Sequence, residues 1–169
     1  MTEASLGAAV ELRQLEGDGE ARACAAIMAA SEPWLTMGRD VDASLAVIRN
    51  PDREVWVAVA DGLVVGFVVL AMRGGFSGYI QSIAVREGWR SRRVGHALLS
   101  RVEARVFETT PNIFLCVSAF NTRAQGFYTA HGYRHVGTLP DYVLAGHDEL
   151  IMRKSIGPLA GYQRATPSR

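Results

Sequence analysis

The residues best suited to chemistry stand together in the middle of the chain. Tyr79-Ile80-Gln81-Ser82-Ile83-Ala84-Val85 is followed directly by Arg86-Glu87-Gly88-Trp89-Arg90-Ser91-Arg92-Arg93-Val94-Gly95-His96-Ala97-Leu98-Leu99. This order predicts a strand, a short basic loop and the start of a helix. The first turn of a helix offers unpartnered backbone N–H groups and partial positive charge. Arg90, Arg92 and Arg93 bring guanidinium groups to the same point. Arginine at a helix start opposes the helix dipole, so a bound anion would resolve the arrangement. The pattern points to a phosphate-bearing ligand, with a solvated helix-start surface as the plainer alternative.

Composition makes that basic loop a local feature. The chain has 169 residues, 49% hydrophobic and 21% charged, with a net charge of +1. That length suits one domain with a sizeable core. The charge balance supplies no global field for nucleic acid or an anionic membrane, so neither is an expected partner. Cys24 and Cys116 sit in apolar contexts and are expected to be buried free thiols, without metal-ligand spacing to another Cys or His. No metal is expected. The N-terminus lacks a signal-peptide profile and no run approaches a membrane span, so a cytoplasmic protein is the default.

The elements that must position the loop follow from apolar spacing and turn residues. Val10–Leu15 predicts a first strand. A helix follows from Asp18 or Gly19 through about Ser31, with Ala23, Ile27 and Ala30 as an inner face. Pro33 breaks it, and a second helix covers Asp42–Arg49. Glu54–Ala60 and Leu63–Met72 are apolar runs separated by Asp61-Gly62, a two-residue hairpin signal. Tyr79–Val85 is the next strand. Val94, Leu98, Val102 and Val106 lie four apart on a helix from about Val94 to Glu108, giving a buried stripe. Ile113–Ser118 predicts a strand buried on both faces, and Thr122–His131 a short helix stopped by Gly132. Tyr133–Leu139 and Asp148–Lys154 form the last two strands, with Pro140–Glu149 as the hairpin loop between them. Residues 1–156 make one domain, and the tail 157–169 is expected to be mobile or docked on a partner. The order β-α-α-β-β-β-α-β-α-β-β implies an α+β fold with a mixed, mainly antiparallel sheet of about seven strands and about four helices. A crossover helix makes the fourth and fifth strands parallel neighbours. The Asp61-Gly62 hairpin and the terminal meander disfavour an all-parallel dinucleotide-binding sheet.

This order and three motifs resemble the GNAT superfamily of acetyltransferases. The motifs are Ile83-Ala84-Val85, the Arg90–Gly95 loop leading into Leu98-Leu99, and Asn121-Thr122-Arg123-Ala124-Gln125-Gly126-Phe127-Tyr128 with Gly132-Tyr133. The family's loop signature, Gln/Arg-x-x-Gly-x-Gly/Ala, fits in two registers. One runs from Arg90 to Gly95 and puts Arg93 where the first glycine usually stands. The other runs from Arg92 through Gly95 to Ala97. Strand-to-loop and loop-to-helix lengths favour the first, in which Arg93 excludes a conformation only glycine tolerates.

The resemblance implies that acetyl-CoA binds against a gap between the fourth and fifth strands. The backbone of Ile83, Ala84 and Val85 would pair with its pantetheine arm, and N–H groups from Ser91 through Val94 and Gly95 to His96 would hold the pyrophosphate. Arg90, Arg92 and Arg93 would add charge-assisted bonds. Asn121 would bond the arm or cap the following helix, and Ala124 and Phe127 would flank it. The N–H of Val85 or Ala84 would face the carbonyl oxygen as it becomes negative. Tyr128 matches the family's general acid, or it is a core aromatic. A strand-four glutamate that many relatives use as base is replaced by Gln81-Ser82. A water relay to Glu32, Glu149 or a histidine is the remaining route. His96, His131, His135 and His147 are scattered in the sequence and read as structural.

The acceptor is expected to be a small-molecule or peptide amine. Glu32, Trp34, Met37 and Tyr79 are candidates for one wall of its site, with Trp34 equally placed to cover the core. Tyr142, in the Pro140–Glu149 segment, is similar to the tyrosine-bearing loop of protein N-terminal acetyltransferases in the superfamily. The function implied is transfer of an acetyl group to a primary amine. The missing strand-four carboxylate motivates the alternative, a non-catalytic acyl-CoA-binding or sensing domain. A homodimer stays open, because relatives of this kind pair and the tail could contribute.

Overall fold

The computed structural model describes residues 9–163; the last six residues of the expected tail, like residues 1–8, lie outside it. Eleven elements follow the expected order: β1 (Glu11–Gln14), α1 (Gly17–Ala29), α2 (Val41–Ile48), β2 (Glu54–Ala60), β3 (Leu63–Ala71), β4 (Tyr79–Val85), α3 (Val94–Phe107), β5 (Asn112–Ser118), α4 (Thr122–Ala130), β6 (Arg134–Leu144) and β7 (His147–Ser155). The strands form one sheet in the order β1-β2-β3-β4-β5-β7-β6. Every pairing is antiparallel except β4 with β5. The architecture is α+β, as the sequence implies.

Local chemistry explains most of these elements. Asp61 and Gly62 both take positive φ, 50° and 74°, which matches the right-handed twist of a two-residue hairpin between β2 and β3. Asp40 caps α2 by accepting from the Ala43 N–H at 2.8 Å. The α3 stripe of Val94, Leu98, Val102 and Val106 is buried against one face of the sheet. Each such side chain contributes roughly 1.5–3 kcal/mol on burial. The other face of the sheet is covered by α1 and α2. There the inner residues are Ala21, Cys24, Ala25, Ile27 and Met28, whereas Ala30 is exposed and Ala23 half-buried. Of the expected inner face, Ile27 is buried but Ala23 and Ala30 are not; the buried stripe centres on Cys24 and Met28, one turn apart.

Two further expectations need correction. Pro140–Glu149 is not a ten-residue loop. β6 runs on through Pro140 to Leu144, and the turn is confined to Ala145-Gly146. The register shifts between Leu139 and Leu144, and β6 has no neighbour on its other side. An irregular edge strand tolerates proline because no ladder bond needs its missing N–H. Asp141 closes this hairpin by accepting from the Gly146 N–H at 2.6 Å. Cys116 is half-buried rather than sealed in the core, while Cys24 is fully buried. In the described part of the tail, the Tyr162 hydroxyl donates to the Phe107 carbonyl at the end of α3.

The feature that positions the site is the brevity of the β4–β5 contact. These strands pair only at Tyr79↔Phe114 and Ile80↔Leu115, then separate. Opposite that gap, the β3–β4 register shifts between Val69 and Leu70, leaving Gln81 without a partner in the ladder. At the closed end of the wedge, Gly78 holds φ +76° with its backbone against α3. A Cβ there would lie 2.4 Å from Val106 Cγ1 and 2.9 Å from the Asn112 carbonyl oxygen. Gly62, at φ +74°, faces open space. Gly78→Ala is expected to lose roughly 2–4 kcal/mol of stability in urea unfolding, and Gly62→Ala only about 1 kcal/mol, since both incur the left-handed penalty but only the first overpacks the core.

Candidate functional site

Beyond Ile80, the β4 edge that faces β5 has no strand partner. The Arg86 N–H donates to the Val65 carbonyl at 2.8 Å, so the backbone groups of Arg86 and, by alternation, Ala84 belong to the β3 ladder. Ile83 and Val85 consequently turn their N–H and C=O groups into the gap. This resolves the choice between Val85 and Ala84 as a donor toward the gap: Ala84 is committed to β3 and Val85 is not. The Val85 carbonyl accepts from Arg90 Nε at 3.2 Å.

The basic loop closes one end of the gap. Helix α3 begins at Val94, and its N-cap Arg93 lies in the left-handed region at φ 63°, ψ 10°, without a side-chain cap. Ser91 is left-handed too, at φ 65°. Arg93 was expected to exclude this conformation; the chain adopts it regardless, at the position where the loop signature has glycine. A non-glycine residue there is strained by roughly 1–2 kcal/mol. The geometry also selects the register running from Arg90 to Gly95, because the helix starts directly after Arg93. No acidic residue lies in the first turn of α3, so its N–H groups and dipole are uncompensated.

A cavity of about 450 Å³ occupies the gap and the helix start, lined by Ile83, Ala84, Val85, Arg90, Ser91, Arg93, Gly95 and His96 on one side and Asn121, Ala124, Phe127 and Tyr128 on the other. Twelve of the expected ligand-binding residues are thereby brought together. Two are not. The Val94 side chain is 2% exposed and packs into the core, leaving only its backbone for the loop. Arg92 stacks on Trp89, its guanidinium carbon 5.0 Å from the ring centroid, outside the cavity lining. Arg90 holds strand to loop, reaching Val85 and, at 3.5 Å, Ser31 Oγ.

Ser31 and Arg123 also line this cavity and were not anticipated. Arg123 had a legible signal, the same one used for α3: an arginine in the first turn of a helix without acidic compensation. Ser31 had none, since its Oγ is spent on the Ile27 carbonyl at 2.7 Å where α1 ends. Among the described residues, Arg93 and Arg123 make no ion pair. The donor set fits an anion: two free guanidinium groups and a helix N-terminus converge on an apolar slot with strand-like backbone groups.

His96 and His131 are not scattered in space. Their Nδ1 and Nε2 atoms are 2.6 Å apart, and His131 Nδ1 lies 2.7 Å from the Phe127 carbonyl. A carbonyl only accepts, so His131 donates there, and with neutral rings its Nε2 accepts from His96 Nδ1–H. The pair joins the start of α3 to the end of α4. His131 is the C-cap of α4, as its position in the sequence implies. Asn121 is the N-cap, accepting from the Ala124 N–H at 3.2 Å while its side of the helix faces the cavity.

A second cavity, of about 190 Å³, adjoins the first from the β6–β7 side of the sheet. Glu32, Trp34, Tyr79 and Tyr142, the expected acceptor residues, all line it. Trp34 does double duty, because it is also 8% exposed and packed in the α1–α2 core. Cys116, Ser118, Arg39 and Glu149 complete the walls. Glu32, Ile83, Asn121, Ala124 and Tyr128 line both cavities. Tyr128 is 7% exposed, and burial raises its hydroxyl well above the ordinary tyrosine range. The phenol is thus held protonated and able to donate. Burial likewise raises the Cys116 thiol, with the nearby Glu149 carboxylate adding to the effect against a Tyr79 contact that lowers it. A thiol so disposed is a poor nucleophile.

Known proteins share this fold. The model of the acetyltransferase (GNAT) family matches residues 20–133. No curated protein matches the chain. A GNAT-family protein from Desulfovibrio desulfuricans is similar in structure, with 18% identity, 88% of this chain and 100% of that one covered, and a TM-score of 0.75. The ribosomal-protein-S18-alanine N-acetyltransferase from Escherichia coli is 16% identical over 92% of this chain and 99% of its own, with a TM-score of 0.73. An aminoglycoside 6'-N-acetyltransferase solved with coenzyme A is 19% identical over 88% and 98% of the two chains, with a TM-score of 0.72. With its family model spanning the splayed strands, the basic loop and the capped helix beyond them, the chain belongs to the GNAT family of acetyltransferases.

Proposed function

We propose that this protein is an N-acetyltransferase that moves the acetyl group of acetyl-CoA directly to the primary amine of a small molecule, amino acid or peptide. The observation that carries the reading is the meeting of the two cavities at Tyr128 and Asn121, beside the unpaired edge of Ile83 and Val85. Donor and acceptor would lie on opposite sides of that junction. Direct attack is favoured because the two cavities meet, so an amine in one could reach a thioester in the other without a covalent enzyme intermediate.

Acetyl-CoA supplies the activated acetyl group as a thioester. Ile83 and Val85 would pair with its amide-bearing arm as a strand edge does. The α3 N-terminus, Arg93 and Arg123 would hold its phosphates. The Val85 N–H would hold the carbonyl oxygen as it gains negative charge during attack by the amine lone pair. When the carbon–sulfur bond breaks, Tyr128 would give its proton to the departing sulfur and regain one from water. The amine loses its proton to water reaching the acceptor cavity. Among the structural neighbours, named activities cover an aminoglycoside and a ribosomal-protein alanine, a small molecule and a protein.

A panel of antibiotics, polyamines, amino acids and peptides with free thiol detection tests the reading. Thiol release that requires an amine supports it. Stabilisation by acetyl-CoA without thiol release from any amine would sink it. Tyr128→Phe should lower kcat by about 100-fold or more while leaving acetyl-CoA affinity within a factor of two; unchanged kcat would remove the acid. Arg93→Ala should weaken acetyl-CoA binding about tenfold, with Arg92→Ala much milder because Arg92 is engaged with Trp89. Arg93→Gly deletes the same charge but relaxes the left-handed backbone. An equal loss in the Gly and Ala variants, measured by calorimetry, assigns the effect to the guanidinium rather than to loop shape.

A further inference from the structure

The acceptor cavity contains a carboxylate whose partners are incomplete. Glu149 is 5% exposed, on β7 opposite Ser118 of β5. Ser118 Oγ donates to Glu149 Oε1 at 2.5 Å. No other described side chain or backbone donor reaches this carboxylate, and no described cation forms an ion pair with it. Arg39 lines the same cavity but does not pair with Glu149. The second oxygen of Glu149 is not sealed in the core but opens into the cavity, where a cation can complete a carboxylate that has a single hydroxyl partner. The side chain lines the cavity rather than turning into the sheet.

The walls around it suit an organic cation. Trp34, Tyr79 and Tyr142 present aromatic surface to the same space, and ring faces attract ammonium groups. Burial keeps the Tyr79 hydroxyl protonated, so it adds no competing negative charge. Glu32 stands at the junction with the donor cavity and directs its own carboxylate to the Thr36 N–H at 3.2 Å. On the proposed function, the phosphates of acetyl-CoA would lie on the far side of Tyr128, where Arg93 and Arg123 line the first cavity. The first cavity is lined by three arginines and Glu32, and the second by two carboxylates, Glu32 and Glu149, with Arg39 as its one cation, so the second is the less positive of the two.

We propose that Glu149, held by Ser118, is the seat for an ammonium group of the acceptor, which makes the acceptor an organic cation with an apolar or aromatic body. The proposal rests on the acetyltransferase reading for the term acceptor, but the seat is tested without turnover. Phenethylammonium chloride is titrated calorimetrically into the full-length protein with CoA present, with phenethyl alcohol as the neutral counterpart. The native protein should bind the ammonium saturably and roughly tenfold or more tightly than the alcohol. Glu149→Gln keeps an oxygen for the Ser118 hydroxyl; it should bring ammonium binding down to the level of the alcohol and leave CoA affinity and the melting temperature near native. Ser118→Ala should weaken the ammonium by a smaller factor, since the charge remains. Equal ammonium binding by the native and Gln forms, no ammonium binding by the native form, or equal binding of ammonium and alcohol would each overturn the seat. A Glu149-dependent ammonium site in a protein that releases no thiol with any amine upholds the seat and removes the transferase reading. Amine-dependent thiol release with native KM in Glu149→Gln does the reverse.

Discussion

The structure depends on an early parting of two parallel strands. β4 and β5 exchange contacts at two register positions and then diverge, while each keeps its outer partner, β3 on one side and β7 on the other. Ile83 and Val85 are half-buried and line the cavity, so the backbone groups of this open edge are available to a partner other than a strand. Arg90 is one such partner, donating to the Val85 carbonyl. An extended, amide-bearing molecule would be another. Both cavities, the loop and the second helix cap are arranged around that unfinished ladder.

The wedge is held open at one end and pinned at the other. At the pinned end, Gly78 lets the chain come within contact of α3 and β5 where no other side chain fits. At the open end, α4 enters the space beyond Ser118, capped by Asn121 and tied to α3 through His96 and His131. Two helix N-termini without acidic residues in their first turns then face one slot. Opposing that positive end, the β5–β7 side carries Glu149. The arginines of the first cavity come from the loop before α3 and the start of α4, and the buried carboxylate of the second comes from β7.

The element order was legible from the sequence because apolar spacing and turn residues agreed with the final fold. The α3 stripe and the Asp61-Gly62 hairpin were read from residues that also decide packing. The Pro140–Glu149 segment was misread because proline and aspartate mark turns locally, whereas an edge strand has a free side where a missing N–H costs nothing. The chemistry of Arg93 was legible but its backbone was not: a left-handed arginine is a tertiary outcome, imposed by the strand before it and the helix after it. Arg92 looked equivalent to Arg93 in sequence, and only the position of Trp89 separates them. The His96–His131 contact joins residues 35 apart, which no local pattern announces. Glu149 lay in plain view, but its pairing with Ser118 opposite it across the β5–β7 ladder is not revealed by spacing alone.

Five residues, Glu32, Ile83, Asn121, Ala124 and Tyr128, belong to both cavities, and the remaining walls belong to one alone. The β6–β7 hairpin, through Tyr142, Val143 and Glu149, touches the second cavity alone, whereas the α1–α2 loop reaches both cavities through Ser31 and Glu32; β6 is an outer strand paired on one side only. A change at any of the five shared positions is felt on both sides at once. The two chambers thus share a thin partition of five side chains, while the rim of the sheet serves only one of them.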